Sequence, residues 1–213
     1  MFSRRLLRIK VLQILYAYHK VNGKTYSSTE KELLHSLKKS YDLYYLLMLL
    51  ITDVADYAES RIMQAREKRI PTEEDLNPNT RFIDNRVIAQ LREHPALKTY
   101  LNNNSLSWVQ YPEIIRNLYS YIIEYDEYKK YMEIPSSSYR EDKRIITLIY
   151  ADIVMNYEDL YLNLEEQSIY WTDDVDFVLK MIVKTVNRFS PDLPAGGSLM
   201  PMFKEMDDQE YLK

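Results

Sequence analysis

Three arginines near the amino terminus, Arg4, Arg5 and Arg8, have the type and spacing that most clearly suggest a binding chemistry. At about 100° per residue they fall within roughly a third of the circumference of a helix and share one end of it. Guanidinium groups bind phosphate through forked hydrogen bonds and stack on bases, which suits single-stranded RNA. The alternative is a solvated basic turn that binds no ligand.

The other reactive residue types offer no comparable pattern. His19, His35 and His94 are far apart and lack a metal-ligand spacing, so each is interpreted as a satisfied surface or helix-end histidine. Acidic pairs lie at predicted helix starts, where capping explains them before acid–base catalysis does. With three glycines and no cysteine, neither a glycine-rich phosphate loop nor a thiolate site is expected. We therefore expect no enzyme activity, cofactor or metal ion.

The charge is distributed unevenly along the 213 residues. Residues 1–29 contain six basic residues and no acid, which gives +6, and the remainder contains 22 basic and 32 acidic residues, which gives −10. A positive end on an acidic body is expected to meet a polyanion or an acidic partner. The twenty tyrosines are expected on half-buried helix faces, and base stacking is the alternative for any that lie beside a basic surface.

Targeting and membrane signals are weak in this sequence. The apolar run Leu43–Ile51 has nine residues, about half a membrane span, and is predicted to be a buried helix. The basic amino terminus has an interrupted apolar run and no small-residue cleavage site, although an organelle presequence is also arginine-rich. The absence of cysteine fits a reducing compartment. We expect a cytoplasmic protein with no membrane partner.

The first predicted helix runs from Arg4 to about Lys20. An apolar stripe at helical spacing is formed by Leu7, Val11, Ile14, Leu15 and Tyr18. Asn22-Gly23 is expected to end the helix, because glycine accepts the left-handed cap conformation.

The second predicted helix is opened by overlapping capping boxes at Ser27–Glu30 and Thr29–Glu32 and extends to Arg69. About forty residues is long for a globular helix, so a kink or break is expected near Ser40.

The remaining segments also follow helical patterns, and no strand pattern is sustained. The sequence therefore predicts the all-α class, as a multi-helix bundle with long amphipathic helices. Ser138–Glu141 is a capping box that follows a Pro/Ser-rich linker. Helices are predicted over Arg81–His94, Pro112–Met132, Ile145–Val154 with Leu160–Leu164 (as one helix or two), and Asp173–Phe189 after a Thr172 cap.

The first helix contains a pattern more specific than its charge. Arg8 stands five residues before Gln13, and Leu15 and Tyr16 complete a Gln-x-Leu-Tyr register. An arginine-rich stretch that leads into this register resembles the opening of the NusB family of transcription antitermination factors. The arginines alone would be a weak signal, whereas arginines with this register are much less common.

The resemblance implies an all-helical protein that binds the boxA element of ribosomal RNA leader transcripts. It implies that the protein acts with the ribosomal protein that serves as NusE and helps to load an antitermination complex onto RNA polymerase. Gln and Tyr of the register would border the RNA surface or hold the helix against the core. The residues implied for RNA binding are Arg4, Arg5, Arg8, Lys10, Gln13 and Tyr16.

Close resemblance covers only about the first twenty residues. Residues 1–24 are interpreted as the NusB-like basic helix, and residues 25–202 as an inserted helical region with an internal linker at 133–138. Residues 203–213 are interpreted as the start of a truncated C-terminal helical part. Two alternatives stay open: a NusB-like domain of an rRNA cytosine methyltransferase, and a helical interaction scaffold with a basic terminus.

Overall fold

A computed structural model describes residues 4–20, 25–136 and 138–203. These ranges contain ten α-helices and no strand, so the prediction of an all-α multi-helix bundle is confirmed. A π-helical turn and a short 3-10 turn join α8 to α9. The helices are α1 (Arg4–Lys20), α2 (Tyr26–Arg66), α3 (Glu73–Leu76), α4 (Arg86–Glu93), α5 (Pro95–Asn104), α6 (Pro112–Glu124), α7 (Asp126–Glu133), α8 (Tyr139–Leu148), α9 (Glu158–Gln167) and α10 (Val175–Arg188).

Helix α2 is the axis of the bundle. Helices α1, α4, α6 and α10 pack around it, and nearly all of its apolar stretch Leu43–Ile51 is buried. Tertiary packing of this kind, and not intrinsic propensity, supplies most of the stability of a helix. The predicted buried helix at this run is confirmed. Among the described helices, none is both long enough and apolar enough to cross a membrane.

The break expected near Ser40 is wrong, because α2 is one helix of 41 residues. Ser40 is fully buried, and its hydroxyl donates to the carboxylate of Asp174 in the turn before α10. Ser40 therefore provides a tertiary contact while the helix continues.

The capping residues predicted for α2 are also wrong. The N-cap is Thr25, whose side chain accepts from the Ser28 backbone N–H at 3.2 Å while the Ser28 hydroxyl accepts from the Thr25 N–H at 3.1 Å. The helix ends at Arg66, three residues before the predicted Arg69. The expected cap at Asn22-Gly23 lies outside the described residues, as does the helical start expected after residue 203.

Two predicted helices prove to be interrupted. The segment predicted as Pro112–Met132 is split into α6 and α7 at Tyr125, whose ψ of 125° is extended. The segment Arg81–His94 begins with a turn, and Asn85 caps α4 only from Arg86 onward. His94 ends α4 and caps α5, which is the helix-end role predicted for it.

The carboxyl half follows the sequence pattern more closely. The capping box of Ser138 and Glu141 at the start of α8 is confirmed. The patterns at 145–154 and 160–164 belong to two helices, since the π-helical turn Ile149–Ile153 ends the first. Helix α10 begins at Val175 and not at Asp173, because residues 169–174 form turns.

Candidate nucleic-acid interface

Helix α1 is held against the bundle by one apolar face. Leu7 and Ile14 are buried in the common core, and Leu6 and Val11 pack partly buried beside them. The placement of Leu15 on this face is wrong, because its side chain is 42% exposed. The helix contacts α2 along this face. Side chains on the opposite face are therefore presented to solvent in a fixed orientation.

Lys10 lies on the buried face, and this corrects the expectation that it would contact RNA. Its ammonium donates to the Asp174 carboxylate at 2.6 Å, and both side chains are almost completely inaccessible. The hydroxyl of Ser40 donates to the same carboxylate oxygen. Burial of two charges is tolerated only when they are paired and hydrogen-bonded, so this contact fixes α1 to the turn before α10.

The three arginines of the predicted site are exposed. Arg4, Arg5 and Arg8 occupy the first turn and a half of α1, over a rise of about 6 Å. Helix α1 contains no acidic residue to compete for them. The three guanidinium groups therefore form a local basic surface at one end of the helix.

Gln13 and Tyr16 lie further along the exposed side. The Gln13 amide donates to the Asp173 carboxylate at 3.3 Å, so its contact links α1 to the residue beside Asp174. Tyr16 is exposed, and the Lys20 ammonium lies 5.5 Å from the centre of its ring. Sequence reasoning missed Lys20 as part of this surface, although its i+4 spacing from Tyr16 was a usable signal.

Several tyrosines that could have stacked on bases instead form an internal cluster. The rings of Tyr45 and Tyr100 stack at 3.9 Å, and Tyr41 meets both edge-on. The Tyr44 hydroxyl is bonded to the Thr185 hydroxyl at 2.7 Å, and burial raises its pKa to about 12. These rings serve the packing between α2, α5 and α10 and are not available as a stacking surface.

A second candidate site is an open groove of about 670 Å³ between α2 and the start of α6. Burial, and secondarily the negative charge of Asp56, raises the pKa of Asp53 to about 7. Asp56 itself is paired with Arg92. The groove is lined by carboxylates and apolar groups together with one arginine: Asp53, Asp56, Tyr57, Trp108, Val109, Pro112, Glu113, Ile115 and Arg116.

Asp53→Asn is expected to stabilise the protein near neutral pH. A carboxyl whose pKa is raised on folding, from 3.8 to about 7, binds its proton more tightly in the folded state. Ionisation of Asp53 therefore lowers the free energy of unfolding progressively between about pH 4 and 7, and the full loss is present above pH 7. The amide should raise the free energy of unfolding at pH 8 by about 1–2 kcal/mol, after allowance for solvent screening. Urea unfolding from pH 4 to 8 measures this, and a gain at pH 8 no larger than that of the exposed control Glu166→Gln would contradict it.

Metal ligation is not suggested by the part of the chain that the structure describes, since no group of three or more His, Cys, Asp or Glu side chains there could hold an ion. No family model, curated protein or solved structure matches this chain. The described residues define an all-α bundle that presents a basic helical surface. Membership of the NusB family stays a hypothesis based on the residues of α1.

Proposed function

We propose that this protein binds single-stranded RNA through the basic end of α1. Following the resemblance of that helix to the NusB family, the proposed RNA is a boxA-type element of ribosomal RNA leaders, bound together with NusE during transcription antitermination. The proposal assigns phosphate contacts to Arg4, Arg5 and Arg8, and it requires no catalytic step.

The observation that carries the proposal is the exposure of these three guanidinium groups on a helix without acidic residues. Arginine suits this role because its planar fork of donors matches the oxygens of a phosphate. The helix is anchored by Leu7, Ile14 and the Lys10–Asp174 ion pair, so the arginines are not at the end of a loose arm. Pre-organisation of this kind lowers the ordering cost of binding.

Tyr16 is the proposed stacking partner for an unpaired base. It lies eight residues beyond Arg8, about 12 Å along the helix axis, on the same exposed side. Stacking of a base on an aromatic side chain contributes about 1–3 kcal/mol and tolerates any base. Lys20 above the ring would contact the adjoining phosphate, while Gln13 remains at the border of the surface.

The test is fluorescence anisotropy with a labelled boxA-like RNA over a salt series, with and without NusE. The triple variant Arg4→Ala/Arg5→Ala/Arg8→Ala should lose about three phosphate contacts. At roughly 0.7 per contact for a single strand, the slope of log K against log salt should become shallower by about two. We expect a fall in affinity of about 10- to 100-fold at physiological salt.

A matched control distinguishes the loss of specific contacts at α1 from a general loss of positive charge. Arg61, Arg66 and Arg69 are exposed at and beyond the end of α2, and their triple change to alanine removes the same charge from another surface. This control should keep most of the affinity and the salt slope. Equal losses in the two triples would contradict the assignment to α1. No preference for boxA over a scrambled strand, even with NusE present, would contradict the antitermination function.

The interaction-scaffold hypothesis is supported by a different observation, the apolar residues on the outer face of α1. They are considered separately below as the contact surface of a protein partner. The hypothesis of a methyltransferase domain remains open, and the sequence of the complete gene tests it.

A further inference from the structure

The outward face of α1 carries an apolar stripe in addition to its cations. Four large apolar side chains are exposed within residues 9–16, whereas no stretch of eight described residues outside α1 holds more than two. They are Ile9 (44% exposed), Leu12 (69%), Leu15 (42%) and Tyr16 (64%). Single exposed apolar residues are ordinary, but adjacent ones indicate an interaction surface.

The stripe lies opposite the face that packs on α2. Leu7 and Ile14 are buried there, so α1 has apolar residues on both sides. A surface helix normally has one apolar face, which packs on the core, so a second apolar face indicates a second contact surface. The buried Lys10–Asp174 pair prevents α1 from turning its outer face inward, because rotation would separate two buried charges. None of the described elements of the chain covers the stripe.

The charge around the stripe indicates which kind of partner would bind it. Arg5 and Arg8 lie at one end, His19 and Lys20 lie at the other, and α1 carries no acid. Two copies of α1 packed face to face would bring cations against cations in either direction, which disfavours a symmetric dimer through this face. An anionic membrane would meet the acidic remainder of the chain as well as α1, and would be repelled by it. A single acidic helix contacts α1 without that penalty.

We propose that the outward face of α1 docks an acidic amphipathic helix of a partner protein. Leucine-like residues of that helix would cover Leu12 and its neighbours, and Glu or Asp at its two ends would face Arg5 and Lys20. Residues 5–20 span about 22 Å, so a partner helix of about four turns fits the surface. The inference rests on the apolar stripe and its flanking charge. The surface shares Arg5, Tyr16 and Lys20 with the proposed RNA contacts, so the acidic helix and RNA would compete for it.

The experiment uses the full chain and a fluorescein-labelled 18-residue peptide with leucines at helical spacing on one face and glutamates elsewhere. Anisotropy should show saturable binding, and Leu12→Glu should weaken it at least about tenfold, since it replaces a covered leucine by a charge. Leu162→Glu is the matched control, because Leu162 is 61% exposed on α9 and outside the stripe. It should bind as the unchanged chain does.

A second peptide tests the charge argument. With every glutamate replaced by lysine, the same leucine face should bind at least about tenfold more weakly. Equal binding of the two peptides, equal binding to the unchanged chain and Leu12→Glu, or no binding of the acidic peptide would overturn the proposal. Sedimentation velocity and flotation with phosphatidylserine vesicles test the other occupants. Self-association or vesicle binding that Leu12→Glu abolishes would overturn it in favour of a second copy or a membrane.

Discussion

Replacement of Lys10 by methionine is expected to lower the free energy of unfolding by about 3–5 kcal/mol. The Asp174 carboxylate would keep its buried position and the Ser40 hydroxyl but would lose the ammonium that lies 2.6 Å away. Methionine has a similar length, so packing changes little and the loss reports mainly the unpaired charge. Urea-induced unfolding at pH 7, followed by circular dichroism, measures the difference.

Two further variants identify the source of that loss. Lys20→Met removes an exposed lysine from the same helix and should change the free energy of unfolding by less than about 0.5 kcal/mol. Lys10→Met combined with Asp174→Asn leaves no buried charge and should recover a substantial part of the stability. If Lys10→Met alone lies within about 1 kcal/mol of the unchanged protein, the ion pair does not anchor α1.

Asn85→Ala is expected to destabilise the protein by about 3 kcal/mol through two losses at one side chain. The Asn85 side-chain oxygen accepts from the backbone N–H groups of Val87 and Ile88, at 2.9 and 3.2 Å, which caps α4. Its amide donates to the Tyr131 hydroxyl and to the Asp142 backbone oxygen, at 3.2 and 3.1 Å. A lost cap costs roughly 1–2 kcal/mol, and a buried group left unsatisfied costs about 1–3 kcal/mol.

The position of Asn85 explains why its loss should destabilise the protein more than the loss of an ordinary N-cap residue. It is almost fully buried at the meeting of α4, α7 and α8, where the buried Asp142 also accepts from Arg86 Nε at 2.6 Å. Thr72→Ala is the control, because Thr72 caps the exposed four-residue helix α3 and should cost less than about 1 kcal/mol. If the two changes lower the free energy of urea-induced unfolding equally, the buried hydrogen bonds of Asn85 contribute no stability beyond that of its N-cap.

Local signals in the sequence were sufficient where an element depends on its own residues. The helical conformation of residues 4–20 follows from their apolar periodicity, and the cap of α8 follows from Ser138 and Glu141. The exposure of Arg5 and Arg8 also follows locally, because both lie about 100° or more from Leu7 around the helix. These predictions need only helical geometry. Arg4 lies three residues before Leu7, and its exposure is a finding of the structure.

Predictions failed where distant residues decide the outcome. Lys10 lies three residues after Leu7 and four before Ile14, so the pattern already placed it on the inner face. Its charge nevertheless suggested RNA contact, because nothing local indicates the paired carboxylate 164 residues away. The division of the helix at Tyr125 is similar, since the apolar spacing continues through it and its hydroxyl donates to Asp152 in the π-helical turn.

The sequence by itself determined the all-α class, the helical conformation of residues 4–20 and the concentration of positive charge at one end of the chain. Periodicity and charge are properties of neighbouring residues, and they do not depend on which other elements pack against those residues. The tertiary structure decided that α2 continues past Ser40, that Lys10 is an anchor and that an apolar stripe on α1 is left uncovered by the described residues. Each of these depends on contacts between residues far apart in the chain, which only the packed bundle brings together.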